Sequence, residues 1–157
     1  MKLSELANRP VKLNWNRIGR TYRVTATIPD SDPEQESHHL EIYFGMVDSE
    51  DEVWSITFSV DEEQGITDNK IEIPVFSAVM QAAKLWLNDA NPRWIVATAP
   101  VDEPSRVKLY KRMASRLAPK WLDASKDPEL WPMEVRALQH KLIATTVLAR
   151  ADVFKQD

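Results

Sequence analysis

Three segments in the first half of the chain alternate apolar and polar residues with a period of two, and nothing else in the sequence constrains the fold as strongly. In TYRVTATI, Tyr22, Val24, Ala26 and Ile28 alternate with Thr21, Arg23, Thr25 and Thr27. In HHLEIYFGM, Leu40, Ile42, Phe44 and Met46 share one side, and in VWSITFSV, Trp54, Ile56, Phe58 and Val60 do the same. Side chains of a strand point alternately to opposite faces, so each segment predicts a half-buried strand. The polar linkers PDSDPEQES and DSEDE suit hairpin connections. The result is an antiparallel meander whose apolar face needs a cover. PVFSAVMQAAKLWLND supplies one: Val75, Val79, Ala82, Ala83 and Trp86 form one stripe of a helix, widened by Phe76, Met80 and Leu87. Pro74 fits its first turn, where a missing N–H costs nothing.

WIVATA, Trp94 to Ala99, is a short continuous apolar run and predicts a central strand covered on both faces. A second helix follows from about Glu103 to Ala118, ended by Pro119. DPELWPMEVRALQHK holds a short helix beyond Pro132, and LIATTVLARA, rich in β-branched residues, reads as a last strand in preference to a helix. The expected fold class is α+β in the order β-β-β-α-β-α-(α/β): an antiparallel β-meander, two main helices packed on it, and an interposed central strand. At 157 residues the chain fits a single domain, 1–157, with a real core.

Several function classes are disfavoured. No apolar run approaches twenty residues, and MKLSELANRP carries no apolar signal segment, so no membrane partner is expected and the chain is placed in a cytoplasm or a virion. Zero cysteines exclude disulfides and thiolate zinc sites. Only Gly19, Gly45 and Gly65 are present, too few and too scattered for a G-x-G-x-x-G or Walker-type loop, and no cofactor is expected. The order of elements invites comparison with ribonuclease-H-like nucleases, but TYRVTATI and WIVATA lack the acids that paired metal ions need. His38 and His39 are neighbours in a strand and point to opposite faces, so they cannot chelate one ion together.

Charge is unevenly laid out. From Val24 to Asn69 there are thirteen acidic residues and no Lys or Arg, while all twenty basic residues and the other eleven acids lie outside that stretch. The second helix, by contrast, is basic. At about 100° per residue, Val107, Tyr110, Met113, Ala114 and Leu117 form its dry stripe, and Lys108, Lys111, Arg112 and Arg116 spread over the remainder. Arg106 is the exception: it falls inside the dry stripe. An inward arginine needs a partner, either by reaching past the core edge to water or a carboxylate such as Asp102, or as an internal anchor or ligand-facing residue. The acidic turns (Glu50, Asp51, Glu52, Glu62, Glu63) and the basic residues (Arg106, Lys108, Lys111, Arg112, Arg116) are the two candidate contact faces. A protein partner fits them best. Nucleic acid is less favoured, because the helix presents no exposed aromatic face, and self-association of acidic with basic ends stays open.

Ile95-Val96-Ala97-Thr98-Ala99, followed by Glu103-Pro104-Ser105-Arg106-Val107-Lys108-Leu109-Tyr110-Lys111-Arg112, resembles a pattern in small proteins of tailed bacteriophages that have no established activity. Val75-Phe76-Ser77-Ala78-Val79 is similar to their V-F-x-x-V segment. The resemblance spans Val53 to Leu117 and implies a phage setting. The expectation is a non-enzymatic phage accessory protein that binds another macromolecule, directed at host machinery. The alternative is a structural virion component that assembles with itself or another virion protein.

Overall fold

A computed structural model describes residues 11–29, 34, 36–61 and 72–155. The chain forms two compact units, residues 1–43 with 58–90 and residues 44–57 with 91–157. The strands are β1 (Asn14–Ile18), β2 (Thr21–Ile28), β3 (His38–Asp48), β4 (Val53–Val60), β5 (Trp94–Pro100), β6 (Trp121–Asp123) and β7 (Ile143–Arg150). The α-helices are α1 (Glu72–Ala90), α2 (Pro104–Leu117) and the single turn α3 (Met133–Arg136). Hydrogen-bonded neighbours run β1-β2-β3-β4 and then β4-β5-β7-β6. The α+β class holds, and LIATTVLARA is a strand.

Two strands lie beyond the periodicity argument. β1 is exposed along its whole length, so it carries no apolar alternation. It pairs antiparallel with β2 from Asn14↔Thr25 to Ile18↔Thr21. The two-residue turn between them places Gly19 at φ +61, a conformation glycine adopts without strain. β6 has three residues, too few to show a period.

The first unit buries Val24, Ala26 and Ile28 of β2 with Leu40 and Ile42 of β3, and α1 packs on β2. The buried residues of α1 include Val75, Val79, Ala82, Ala83 and Trp86, the stripe its spacing predicts.

In the second unit β5 is the central strand. It pairs antiparallel with β7 along its whole length, Trp94↔Ala149 to Pro100↔Ile143. One face carries a cluster of Val53, Trp94, Val96, Ala124, Trp131, Val135, Val147 and Ala149. Alternation turns Ile95, Ala97, Ala99 and Leu148 to the other face, and α2 packs on β5, β6 and β7 through Leu109, Tyr110, Met113 and Leu117. The indole N–H groups of Trp121 and Trp131 are buried but not wasted: they donate to the Pro92 carbonyl at 3.1 Å and the Ala124 carbonyl at 2.7 Å. Among the described residues no helix is long and apolar enough to cross a membrane.

Candidate functional site

In the second unit one ladder between parallel strands ends early. β4 and β5 run parallel, but their ladder holds only Val53↔Trp94, Trp54↔Ile95 and Ser55↔Val96. β5 continues to Pro100, paired there with β7 alone. From Ala97 to Ala99 the side of β5 turned to β4 therefore presents backbone groups that this ladder does not use; Pro100 adds none, since it has no N–H and its carbonyl accepts from Glu103. Such an edge is a template for an extended chain containing amides.

Beyond Pro100 the chain turns, with Glu103 N–H donating to the Pro100 carbonyl at 3.0 Å, and enters α2. Glu103, Arg106 and Tyr110, at i, i+3 and i+7, share one side of this segment. Arg106 is only 4% exposed, and its Nη1 lies 3.5 Å from Glu103 Oε2. The charge that the helical wheel puts among apolar residues is thus buried, and the carboxylate that meets it is Glu103, one position beyond the Asp102 suggested by the sequence. Tyr110 is buried beside this pair. Burial pushes its phenol up to about 12, the Arg106 charge pulls it down and the Glu103 charge pushes it up again. Tyr110 consequently holds its proton throughout the neutral range and can act as a hydrogen-bond donor.

The other sequence candidates separate. Lys108, Lys111, Arg112 and Arg116 lie exposed on the wet side of α2. The dry stripe also includes Leu109, while Val107 is only half-buried. Glu50 is exposed; Glu52 sits at φ 54 in the β3–β4 turn, where its carboxylate is 3.9 Å from Arg93 Nε. Glu62 and Glu63 lie outside the described residues. Asp51 is half-buried, and its N–H donates to Asp48 Oδ2 at 2.7 Å. Oxygens of Asp48, Asp51 and Glu134 come within 4.8 Å of one another, a set of hard oxygen donors suited to a divalent cation. No sequence signal points to this trio, because Glu134 stands far along the chain from the other two.

In the first unit a polar network covers β2 and β3. Arg23 Nη2 donates to Glu41 Oε1 at 2.6 Å, Tyr43 donates its hydroxyl to Glu41 Oε2, and His39 Nε2 lies 3.1 Å from Glu41 Oε1. The bond from Tyr43, then those from Arg23 and His39, hold the Glu41 carboxyl down at about 2. His38 Nδ1 meets Asp61 Oδ2 at 2.7 Å, and the His39 N–H donates to Asp61 Oδ1 at 2.7 Å. Burial pushes Asp61 up, but these bonds outweigh it and the carboxyl lies below its ordinary value. The two histidines take different side-chain partners, as neighbours in a strand must.

Among solved structures the chain is similar to a chimera of the spermidine N-acetyltransferase SpeG from Vibrio cholerae and hSSAT. The TM-score is 0.50 at 9% identity, covering 88% of this chain and 70% of that one. The chain shares its α+β fold with that structure. A point mutant of the Vibrio cholerae SpeG matches with TM-score 0.48 at 8% identity, covering 88% and 69%. The ribosomal L7/L12 alpha-N-protein acetyltransferase RimL matches with TM-score 0.45 at 11% identity, covering 84% and 70%. The fold is read from the first alone. No family model and no curated protein matches the chain.

This likeness overturns the expectation of a non-enzymatic phage accessory protein, together with its alternative of a structural virion component. The structure whose fold it shares is that of an enzyme, a spermidine N-acetyltransferase chimera. Side-chain constellations and glycine-rich loops leave motifs in a sequence. A backbone edge is created by the end of a ladder and leaves none.

Proposed function

We propose that the chain is an acetyltransferase that moves an acetyl group from a thioester, acetyl-coenzyme A, to an amine. The observation that carries this reading is the end of the parallel β4–β5 ladder at Ser55 and Val96, in a chain with the fold of an N-acetyltransferase structure. The open side of β5 from Ala97 to Ala99 fits the donor, because the arm that bears its thioester is an extended chain with amide groups, and backbone N–H and C=O can pair with those as a strand would. The donor supplies an activated acetyl carbonyl. The acceptor nitrogen replaces sulfur on that carbonyl carbon, and one N–H proton leaves with the thiol, so atoms and charge balance.

Tyr110, on the buried face of the helix packed against β5, is the residue assigned to the leaving group. Its value of about 12 lies well above the roughly 8.5 of a free thiol. Handing its own proton to the thiolate would cost about 5 kcal/mol. Tyr110 therefore acts as a fixed hydrogen-bond donor to the sulfur, and the proton that ends on the thiol comes from the amine. A preorganised donor in a dry site is worth about two orders of magnitude in kcat.

The test is thiol release from acetyl-coenzyme A by the purified chain in the presence of amines. Tyr110→Phe should lower kcat about 10- to 100-fold with little change in KM for the donor. Absence of thiol release with every amine class would end the acetyltransferase reading, and an unaltered kcat in the variant would end the role given to Tyr110. We extend the proposal to the tailed-phage proteins resembled over Val53 to Leu117, which would share this fold; a different strand order in one of them would break the link.

A further inference from the structure

A recess of about 500 Å³ opens in the second unit, lined by Trp131, Gln139, His140, Lys141, Ile143 and Thr145. The β5–β7 register locates it: Ile143 pairs with Pro100 and Thr145 with Thr98. The recess thus adjoins the part of β5 that runs beyond its ladder with β4. Residues directly opposite in an antiparallel pair share a face. Thr98, Pro100, Thr145 and Ile143 therefore continue the face that carries Trp94, Val96, Val147 and Ala149, and Trp131 belongs to that cluster. One wall is dry and the rim is polar.

The rim has a defined hydrogen-bonding character. His140 Nδ1 accepts from the Leu142 N–H at 3.1 Å, and the His140 carbonyl accepts from the Ile143 N–H at 3.0 Å. The two bonds close a tight turn and assign the ring proton to Nε2, leaving an N–H donor. Lys141 adds an ammonium, Gln139 an amide and Thr145 a hydroxyl, and among the described residues no carboxylate lines the recess. The acidic trio of Asp48, Asp51 and Glu134 belongs to the opposite end of β5, since Val53 pairs with Trp94 and Val135 packs in the same cluster. Trp94 to Pro100 spans about 20 Å of strand. A polycation in the recess would meet Lys141 and find no counter-charge among those lining groups.

We infer that this recess holds the carboxylate of the acceptor, so that the amine acetylated belongs to an amino acid or a peptide and not to a polyamine. The inference rests on the acetyltransferase reading for its word "acceptor", but the carboxylate site can be tested without catalysis. Lys141 and His140 are exposed, so substitutions there leave the core intact.

Isothermal titration of the full chain with glycyl-aspartate and, separately, with spermidine decides the matter. Glycyl-aspartate should bind saturably, and Lys141→Glu should weaken it by about tenfold or more, while spermidine should show no saturable binding to the wild-type chain up to about 10 mM. Coenzyme A should leave dipeptide binding within about twofold. Spermidine binding as tightly as the dipeptide, dipeptide binding indifferent to Lys141→Glu, displacement by coenzyme A, or no saturable dipeptide binding would each overturn the assignment. Dipeptide binding that depends on Lys141 but yields no thiol from acetyl-coenzyme A would uphold the carboxylate site while sinking acetyl transfer. Failure of one reading is thereby kept apart from failure of the other.

Discussion

In the first unit, Arg23, Tyr43 and His39 converge on Glu41 across the polar face of β2 and β3. In the second, Arg106 lies inside the dry face of α2 with Glu103 as its carboxylate. The first arrangement is partly wet: Arg23 and His39 keep about a third to a half of their side-chain surface in solvent. Its charges are numerous, mutually satisfied and individually cheap to lose. The second has one cation, almost fully removed from water, whose loss strands a partly buried anion. Where a charge is buried matters more than how many charges a region carries. The acid-rich stretch from Val24 to Asn69 stands out in a composition count, yet the residue with the larger physical consequence is a single arginine in the basic helix.

Substitutions can break or sharpen that contrast. The largest effect is expected at Arg106: Arg106→Leu should cost about 3 kcal/mol in urea unfolding, because Glu103 is left without its cation. Adding Glu103→Gln should restore much of that loss, since removing both charges removes the stranded one. A double variant as unstable as the single would mean that packing, not charge pairing, sets the cost.

Next in size is Glu41. Its carboxyl is held at about 2 in the folded chain against an ordinary 4.5. A depressed folded value gives stability that is present above about pH 4.5 and lost as pH falls toward 2. After allowance for solvent screening this amounts to about 1 kcal/mol. Glu41→Gln should therefore be less stable than wild type at pH 7, and the difference should vanish near pH 2. A gap that persists there would assign the effect to shape instead of ionisation.

Smaller still is Asp152→Asn. Arg150 donates to Asp152 at 2.7 Å and 3.0 Å, but it also holds the Asn91 carbonyl at 2.8 Å, and Asp152 is half exposed. The expected loss is smaller than that of Glu41→Gln in the same unfolding measurement. Arg112→Leu, on the wet side of α2, should be the mildest; a cost equal to that of Arg106→Leu would erase the distinction between the two arginines.

Much of the fold is legible in the residues. β2, β3 and β4 declare themselves by alternation, α1 and α2 by their stripes, and β5 by its unbroken apolar run. β1 does not, because an edge strand wet on both faces has no period to read, and β6 is too short to have one. The site is less legible. Arg106 is visible as an anomaly on the helical wheel, whereas Tyr110 looks like any other core aromatic until its surroundings are known. The end of the β4–β5 ladder has no signature in either segment: Ile56 and Phe58 continue the alternation past Ser55, and Ala97 to Ala99 continue the apolar run past Val96.

Periodicity is a relation between residues two to four apart, so the chain alone decides which stretches become strands or helices and which side of each is dry. Where a ladder stops, which carboxylate meets a buried arginine, and which donors gather around a recess depend on groups far apart in sequence, brought together only when burial of the dry sides draws the elements into contact. Those are the features on which the proposed chemistry depends, and tertiary structure alone supplies them.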